Sequence, residues 1–255
     1  DYFGWEYPEV IHWGHVQIDE YDVALSTSTI AELVDSDELD GWDDPRAPTV
    51  ASLRRRGIRG EAIVEAMIEL GTSTSNVDLA TSAIYSHNRA LIDDGTDRAF
   101  LVRDDSDQGG GAVESAVRGG PEAGRPPVHP EHEDRGRRQL SVEDGVLVEA
   151  SDLPPEGDRV WLKGYGCVRR TSEGLEWVDA DIDVTREEGV DIVHWVPAGD
   201  AVPLRLRTMD GDVHGHAEPG VAGYDPDEML QFERVGFARI DAHEDVETVA
   251  YFAHR

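Results

Sequence analysis

The stretch DRVWLKGYGCVRR, residues 158–170, sets apolar and polar residues in a short alternating run. Such alternation is typical of a β-strand with one buried face. Further runs of this kind are separated by Gly, Pro and Asp: AFLVRD (99–104), GVLVEA (145–150), GLEWVDADIDV (174–184), DIVHWV (191–196), VPLRLRTMDGDVHGHAE (202–218), LQFERVGFARID (230–241) and TVAYFAH (248–254). The pattern predicts an all-β region of barrel or sandwich type.

Ahead of these runs the period of the apolar residues becomes helical. It does so in three ranges: 51–53, 62–70 and 77–92. Thr49 and Ser75 are placed as N-caps, and Gly57 and Gly71 as stops. We therefore predict a small α-helical unit that ends near Asp94.

Two further segments differ from the rest of the chain in amino-acid composition. Residues 2–22 are rich in aromatic and β-branched residues, which suits short strands. Residues 107–127 contain Gly-Gly-Gly, Gly-Gly and Pro-Pro, and we predict a flexible loop or insertion there. Because the chain starts at Asp1 within the aromatic segment, we expect it to be cut from a longer protein.

The chain of 255 residues is long enough for two or three structural units, and its charge is strongly negative. There are 54 Asp and Glu against 23 Lys and Arg, a formal net charge of -31, and Lys163 is the single lysine. This bias is typical of proteins from extreme halophiles, where a Debye length of about 3 Å at 1 M salt screens the repulsion. The alternative is an ordinary acidic protein.

Cys167 is the only cysteine, which excludes an intramolecular disulfide and a multi-cysteine zinc site. No apolar run approaches the roughly 18 residues that span a bilayer, and no signal peptide is recognisable. We expect a soluble, cytoplasmic protein. His214 and His216 alone make a weak metal site, and the acidic stretch 35–44 lacks EF-hand spacing, so we predict no metal ligands.

Five motifs identify a family. GWDDPR at 41–46 and SLRRRG at 52–57 resemble the signature shared by glutaminyl-tRNA synthetases and archaeal-type glutamyl-tRNA synthetases. HPEHEDRGRRQL (129–140), IVHWV (192–196) and QFERVGFARID (231–241) follow in the order of that family. The resemblance implies a multidomain α+β fold: the tail of a class I catalytic half (1–30), an α-helical linker domain (31–95) and two all-β anticodon-binding barrels (96–255).

The resemblance also implies an activity for the parent enzyme. It would activate L-glutamate with ATP and magnesium and transfer it to tRNA(Glu); tRNA(Gln) is allowed as a second partner. HWGH at 12–15 lies too close to the next motif to be the first class I signature, so no catalytic set is complete here. We therefore expect this part alone to bind tRNA without aminoacylating it.

The loop ALSTSTI, residues 24–30, matches the second class I signature by position, but Ala24 and Thr27 stand in its lysine places. The resemblance makes Ser26, Thr27 and Ser28 an ATP-side loop whose hydroxyl and backbone N–H groups can donate to phosphate. The alternative from the residues alone is a Ser/Thr-rich turn that caps the next helix.

The resemblance assigns tRNA contacts to several arginines: Arg46, Arg54, Arg55, Arg56, Arg137 and Arg138. The cluster at 54–56 would lie near the inner corner of the tRNA, and Arg138 would contact an anticodon base. A guanidinium suits both roles because it can bind phosphate oxygens or a base edge with two parallel hydrogen bonds. The alternative for each cluster is pairing with acids of the chain, such as Asp43, Asp44 or Glu61 for the first.

Aromatic residues in the strand-like runs are better explained by packing. We predict that Trp161, Trp177 and Trp195 pack in a core and that His194 is a hydrogen-bonded structural residue. Two rival functions stay open: a glutaminyl-tRNA synthetase, and a non-catalytic acidic β-barrel module that binds protein partners. The net charge of -31 is the main objection to tRNA binding, because it opposes binding of another polyanion.

Overall fold

The computed structural model describes residues 3–6, 9–18, 21, 23, 25–104 and 111–255. Helices dominate before residue 95 and strands after it. The helices are α1 (Thr27–Asp35), α2 (Val50–Arg55), α3 (Gly60–Leu70), α4 (Thr81–Ile92) and α5 (Ile182–Glu187). Two short strands, β1 (Val16–Gln17) and β2 (Val77–Asp78), pair in parallel beside them. We call α2, α3 and α4 the helical unit.

The capping predictions are partly confirmed. The Thr49 side chain accepts a hydrogen bond from the backbone N–H of Ser52, and Gly71 ends α3 with a φ of 69°. The prediction for Ser75 is wrong, because Ala80 precedes α4. Residues 77–78 leave the helical period to pair with β1, so the helix predicted over 77–92 starts only at Thr81.

The prediction of strands over residues 2–22 is wrong for most of the described residues, where only β1 is a strand. A strand needs a partner ladder, and β2 is the one neighbour that pairs with this part of the described chain. Phe3, Trp5 and Ile11 are exposed. The parts of the prediction at 2, 7, 8, 19, 20 and 22 lie outside the described residues.

The remaining strands form the β region. They are β3 (Asp97–Ala99), β4 (Leu101–Arg103), β5 (Ala112–Ser115), β6 (Val117–Arg118), β7 (Ala123–Gly124), β8 (Leu140–Ser141), β9 (Val146–Glu149), β10 (Arg159–Leu162), β11 (Gly166–Thr171), β12 (Gly174–Asp179), β13 (Ile192–Val193), β14 (Val196–Pro197), β15 (Val202–Thr208), β16 (Gly211–Ala217), β17 (Met229–Phe232), β18 (Gly236–His243) and β19 (Thr248–His254). The predicted mixed α+β fold with an all-β second part is confirmed.

One sheet closes almost completely into a barrel. Its strand order is β3-β17-β18-β19-β15-β16-β4, and only Phe100 separates β3 from β4. A single continuous segment therefore pairs with both edges of the sheet, which removes the exposed edges. We call these seven strands the second barrel. Ala99 and Leu101 point into its core.

The other strands form the first β unit, residues 111–201. A five-stranded sheet (β13-β10-β11-β12-β6) and a three-stranded sheet (β14-β9-β5) share one core, which contains Val148, Leu162 and Trp195. Phe100 and Val102 belong to this core, whereas their neighbours Ala99 and Leu101 belong to the second barrel. The alternation of one strand segment thus joins the two β parts.

Two predictions within the β region are wrong. The described part of the predicted loop, residues 111–127, contains β5, β6 and β7, while residues 107–110 lie outside the described range. Its glycines serve close packing: a Cβ on Gly120 would lie 2.4 Å from Trp177, and one on Gly124 would lie 2.6 Å from Trp195. Residues 182–184, predicted as strand, begin α5.

Candidate nucleic-acid interface

Ser26, Thr27 and Ser28 lie at the start of α1. Ser26 occupies the N-cap, but its side chain makes no capping hydrogen bond, and its Oγ lies 3.1 Å from the Oγ of Ser28. Thr27 and Ser28 are exposed. These side chains therefore do not fill the alternative role of a helix cap, and the ATP-side role stays a prediction. Ala24, in one of the lysine places, lies outside the described residues.

The segment SLRRRG joins the helical unit to the second barrel, and its three arginines have different environments. Arg54 is exposed. Arg55 donates to Asp241 at 2.9 Å and to Asp43 at 2.9 Å, and its guanidinium carbon lies 4.5 Å from the centroid of the Tyr251 ring. The pairing alternative thus holds for Arg55. The side chains of consecutive helical residues point about 100° apart, so Arg54, Arg55 and Arg56 cannot all contact the same neighbouring surface.

Arg56 is 1% exposed and connects the helical unit to the second barrel; we call such a residue a joint residue. Its guanidinium donates to five acceptors: Phe252 O at 2.9 Å, Ala253 O at 2.5 Å, Tyr21 Oη at 3.0 Å, Tyr85 Oη at 3.0 Å and Met209 Sδ at 3.2 Å. The backbone carbonyls belong to β19 of the second barrel. The prediction that Arg56 contacts tRNA is therefore corrected, because a buried guanidinium with these partners does not reach a ligand on the surface.

Arg46 is held by Asp44 inside the GWDDPR motif. Its Nε lies 2.9 Å from Oδ1 and its Nη2 lies 2.6 Å from Oδ2, a two-pronged ion pair. Burial alone would raise the pKa of Asp44, but hydrogen bonds from Arg46 and from backbone N–H groups lower it below its usual value. The Arg46 side chain stays 39% exposed, so its outer side can still meet a ligand.

Arg138 lies between the two β parts. Its Nη1 is 2.5 Å from Oε2 of Glu218, its Nη2 is 3.3 Å from Oε1 of Glu233, and its guanidinium carbon lies 4.4 Å from the centroid of the Phe100 ring. The side chain is 10% exposed. Its Nε is buried and has no hydrogen-bond partner among the described residues.

Glu218 connects Arg138 to the closure of the second barrel. Its Oε2 accepts from the backbone N–H of Phe100 at 2.8 Å, the residue between β3 and β4. Burial raises the pKa of the Glu218 carboxyl from 4.5 to about 7, although Arg138 and the Phe100 N–H lower it. The carboxyl therefore binds its proton more tightly in the folded chain than in the unfolded chain.

We expect Glu218→Gln to remove a pH dependence of stability. Because the folded pKa is raised, the stabilising contribution of the protonated carboxyl is complete below about pH 4.5 and is lost as the pH rises to about 7. Across that window the free energy of unfolding of the wild type should fall relative to the variant by about 3 kcal/mol. Urea unfolding at constant KCl measures this difference; parallel curves for the two proteins would contradict it.

Arg137 and Arg125 form an exposed basic surface next to Arg138. The Nη1 of Arg137 donates to the backbone carbonyl of Arg125 at 3.0 Å, and no acid pairs with either side chain among the described residues. Arg135 instead donates to Asp97 at 2.8 Å. The RGRR segment thus presents one free cation, one buried cation and one paired cation.

The packing predictions for the three tryptophans are confirmed. Trp161 and Trp195 are 8% and 0% exposed, and the half-buried Trp177 packs against the core that contains Trp195. His194 is 7% exposed and its ring stacks on Phe100 with centroids 4.7 Å apart. Burial lowers the pKa of His194 to about 3, so it is neutral at ordinary pH.

The tertiary structure brings the quoted motifs together. SLRRRG meets QFERVGFARID through Arg55 and Asp241, and HPEHEDRGRRQL meets the same motif through Arg138 and Glu233. His194 of IVHWV lies 3.9 Å from Glu233. The motifs form one connected set at the joints between the structural parts.

Sequence reasoning missed Glu218, Glu233 and Arg125. Glu233 lies within QFERVGFARID, so the motif itself could have drawn attention to it. Glu218 and Arg125 lie outside the quoted motifs, and only contacts over 80 residues of sequence reveal Glu218.

Among the described residues no group of three His, Cys, Asp or Glu side chains could hold a metal ion. Within the same residues no helix has the length and apolar character to cross a membrane.

Family models match the chain in consecutive blocks. Residues 1–94 match the catalytic domain of class I (E and Q) tRNA synthetases. Residues 97–184 and 192–241 match two models of the anti-codon binding domain of the same class. The blocks thus cover both the helical part and the β region.

Similar proteins align over 100% of this chain. A glutamate–tRNA ligase of Haloarcula marismortui is 68% identical over 257 residues, and one of Natronomonas pharaonis is 63% identical over 254 residues. A glutamate–tRNA ligase of Methanosarcina mazei is 38% identical over 260 residues. The chain spans 43–44% of the length of these relatives. Because these full-chain alignments agree with three successive family models, this chain belongs to the glutamyl and glutaminyl (E and Q) family of class I tRNA synthetases.

Proposed function

We propose that this chain is the tRNA-binding portion of a glutamyl-tRNA synthetase. The whole protein would join L-glutamate to tRNA(Glu) with ATP, through a glutamyl-adenylate, in the cytoplasm; tRNA(Gln) is a second candidate substrate. The observation that carries this proposal is the alignment of the full chain with glutamate–tRNA ligases at up to 68% identity.

The proposed binding mode divides the arginines by environment. Exposed cations, Arg54 and Arg137, would contact phosphates and position the RNA without reading its sequence. Arg46 would contribute through its exposed outer side. Arg138 would contact an anticodon base, the role that the family resemblance implies, through the tenth of its side chain that stays exposed between the two β parts. Arg55 would act by holding the helical unit on the second barrel.

On the ATP side, this chain would contribute only hydrogen-bond donors to the phosphates. Ser26, Thr27 and Ser28 would offer hydroxyl and backbone N–H groups to phosphate oxygens, while magnesium, when bound with ATP, would stabilise the charge of the leaving pyrophosphate. The described residues supply no three-ligand set for that ion. We therefore assign no residue of this chain to the magnesium ion.

The charge of -31 sets the conditions under which the proposal is tested. At molar salt, release of counterions drives binding only weakly, so affinity must come from direct contacts, stacking and shape. We expect the chain to bind a tRNA(Glu) transcript at about 2 to 3 M KCl, where charges separated by more than a few ångströms are screened. It should bind a transcript with an altered anticodon about tenfold or more weakly, the cost of losing one good base contact.

Fluorescence anisotropy with both transcripts, in parallel with circular dichroism to show that the chain is folded, measures this selectivity. A tRNA(Gln) transcript tests the second substrate and the glutaminyl alternative. A folded chain that binds none of the transcripts would overturn the proposal and favour the protein-interaction module.

A further inference from the structure

Many arginines of this chain pair with a carboxylate of the chain. Arg54 and Arg59 do not: both are exposed, and among the described residues neither has a carboxylate within 4.0 Å, a property that they share with Arg125 and Arg137. Both line one cleft of about 450 Å³ between the helical unit and strands β17 and β18. In a chain with 54 acidic residues, two unpaired cations on one cleft are a specific feature.

The charge within this cleft favours an anion. Arg239 also lines it, but its guanidinium is taken by Asp227 and Asp241. Glu61 is the other acid in the lining. The lining thus holds three arginines and two carboxylates, a formal charge of +1 in a chain whose net charge is -31.

The backbone between the two arginines is held at two points. Arg56 is bonded to the carbonyls of β19, and the backbone N–H of Arg59 donates to Oδ1 of the buried Asn88 at 2.8 Å. Gly57 has a φ of 89°, and a Cβ there would lie 2.3 Å from Sδ of Met229. Because the backbone is already ordered, binding a ligand costs less conformational entropy.

We propose that this cleft binds a phosphodiester group of the RNA backbone, with Arg54 and Arg59 donating to its non-bridging oxygens. A guanidinium fits phosphate geometry with two parallel donors, and such direct contacts persist where long-range attraction is screened. The proposal rests on the proposed tRNA-binding function. A free nucleotide carries the same phosphate chemistry, and separate arms of the experiment distinguish it.

The experiment compares Arg54→Gln, Arg59→Gln and the double variant with the wild type at several KCl concentrations. Arg118→Gln is the matched control, because it makes the same change in net charge at an exposed arginine paired with Glu173 in the first β unit. We expect each cleft variant to weaken tRNA binding about tenfold, as for a lost hydrogen bond between charged groups. Each should also reduce the slope of log Kd against log KCl by about one.

Two further signatures identify a shared phosphate. The double variant should lose less than the product of the single losses, because both side chains hold the same group. The losses should be equal for transcripts with the original and the altered anticodon, since phosphate contacts carry no base information. Glu61→Gln, which removes the opposing carboxylate, should strengthen binding.

The outcomes separate this inference from the function on which it rests. If the wild type binds tRNA selectively and both cleft variants match Arg118→Gln, the cleft proposal is wrong and the tRNA-binding proposal stands. If the wild type binds no tRNA, both proposals fall. Binding of inorganic phosphate or ATP that depends on Arg54, without an effect on tRNA, would overturn the assignment to the RNA backbone.

Discussion

Replacing Arg56 with alanine is expected to lower the free energy of unfolding by about 3 to 5 kcal/mol, because it breaks a buried hydrogen-bond network and leaves a cavity. The guanidinium is 1% exposed and serves five acceptors, two of which are backbone carbonyls of β19. Without it these carbonyls lose the donors that Arg56 gives them, and a buried carbonyl left without a donor would cost about 1 to 3 kcal/mol.

Urea unfolding in molar KCl, followed by tryptophan fluorescence, measures this loss. Arg56→Lys keeps the charge but not the planar fork, and we expect it to recover less than half of the loss. Arg54→Ala is the matched control, because it removes an exposed arginine two positions away and should change stability by no more than about 0.5 kcal/mol. A loss below about 1 kcal/mol for Arg56→Ala would refute its assignment as a joint residue.

Replacing Arg138 is expected to abolish discrimination between anticodons, a change of about tenfold to a hundredfold in relative affinity, the value of one two-pronged base contact. The same change leaves Glu218 and Glu233 without their shared cation. A buried carboxylate without a partner destabilises the fold, so Arg138→Ala by itself could lose binding by unfolding.

A neutral double variant separates the two effects. Arg138→Gln with Glu218→Gln removes one cation and one buried carboxylate together, and we expect it to remain folded. Anisotropy titrations with original and altered transcripts then test the base contact. Loss of selectivity with retained overall affinity supports it, whereas full selectivity in the folded double variant would limit Arg138 to holding the two β parts together.

The SLRRRG motif shows why the candidate site was only partly predictable. Its family position marks Arg54, Arg55 and Arg56 alike, and their chemistry is identical. Which of them faces solvent depends on how α2 lies against strands almost 200 residues later in the chain. The local sequence does not specify how α2 packs against those strands. Tertiary packing therefore decides that Arg54 faces solvent and that Arg55 and Arg56 contact the second barrel.

The errors in the predicted elements have a similar cause. The Gly-Gly at 119–120 predicts a flexible loop, but Gly120 allows close contact with Trp177. The period of the apolar residues predicts a helix at Val77, but Val77 pairs with Val16 in a short sheet. In each case a partner distant in sequence overrode a local preference.

The sequence by itself determined the family, through five motifs in order, and the change from helices to strands near residue 95, through the period of its apolar residues. Both are local properties. The tertiary structure alone decided that the second barrel closes on both sides of Phe100. It also decided that Arg56 and Arg138 are buried and that Arg54 and Arg59 line the same cleft. These depend on packing energies between segments far apart in the chain, which no local pattern encodes.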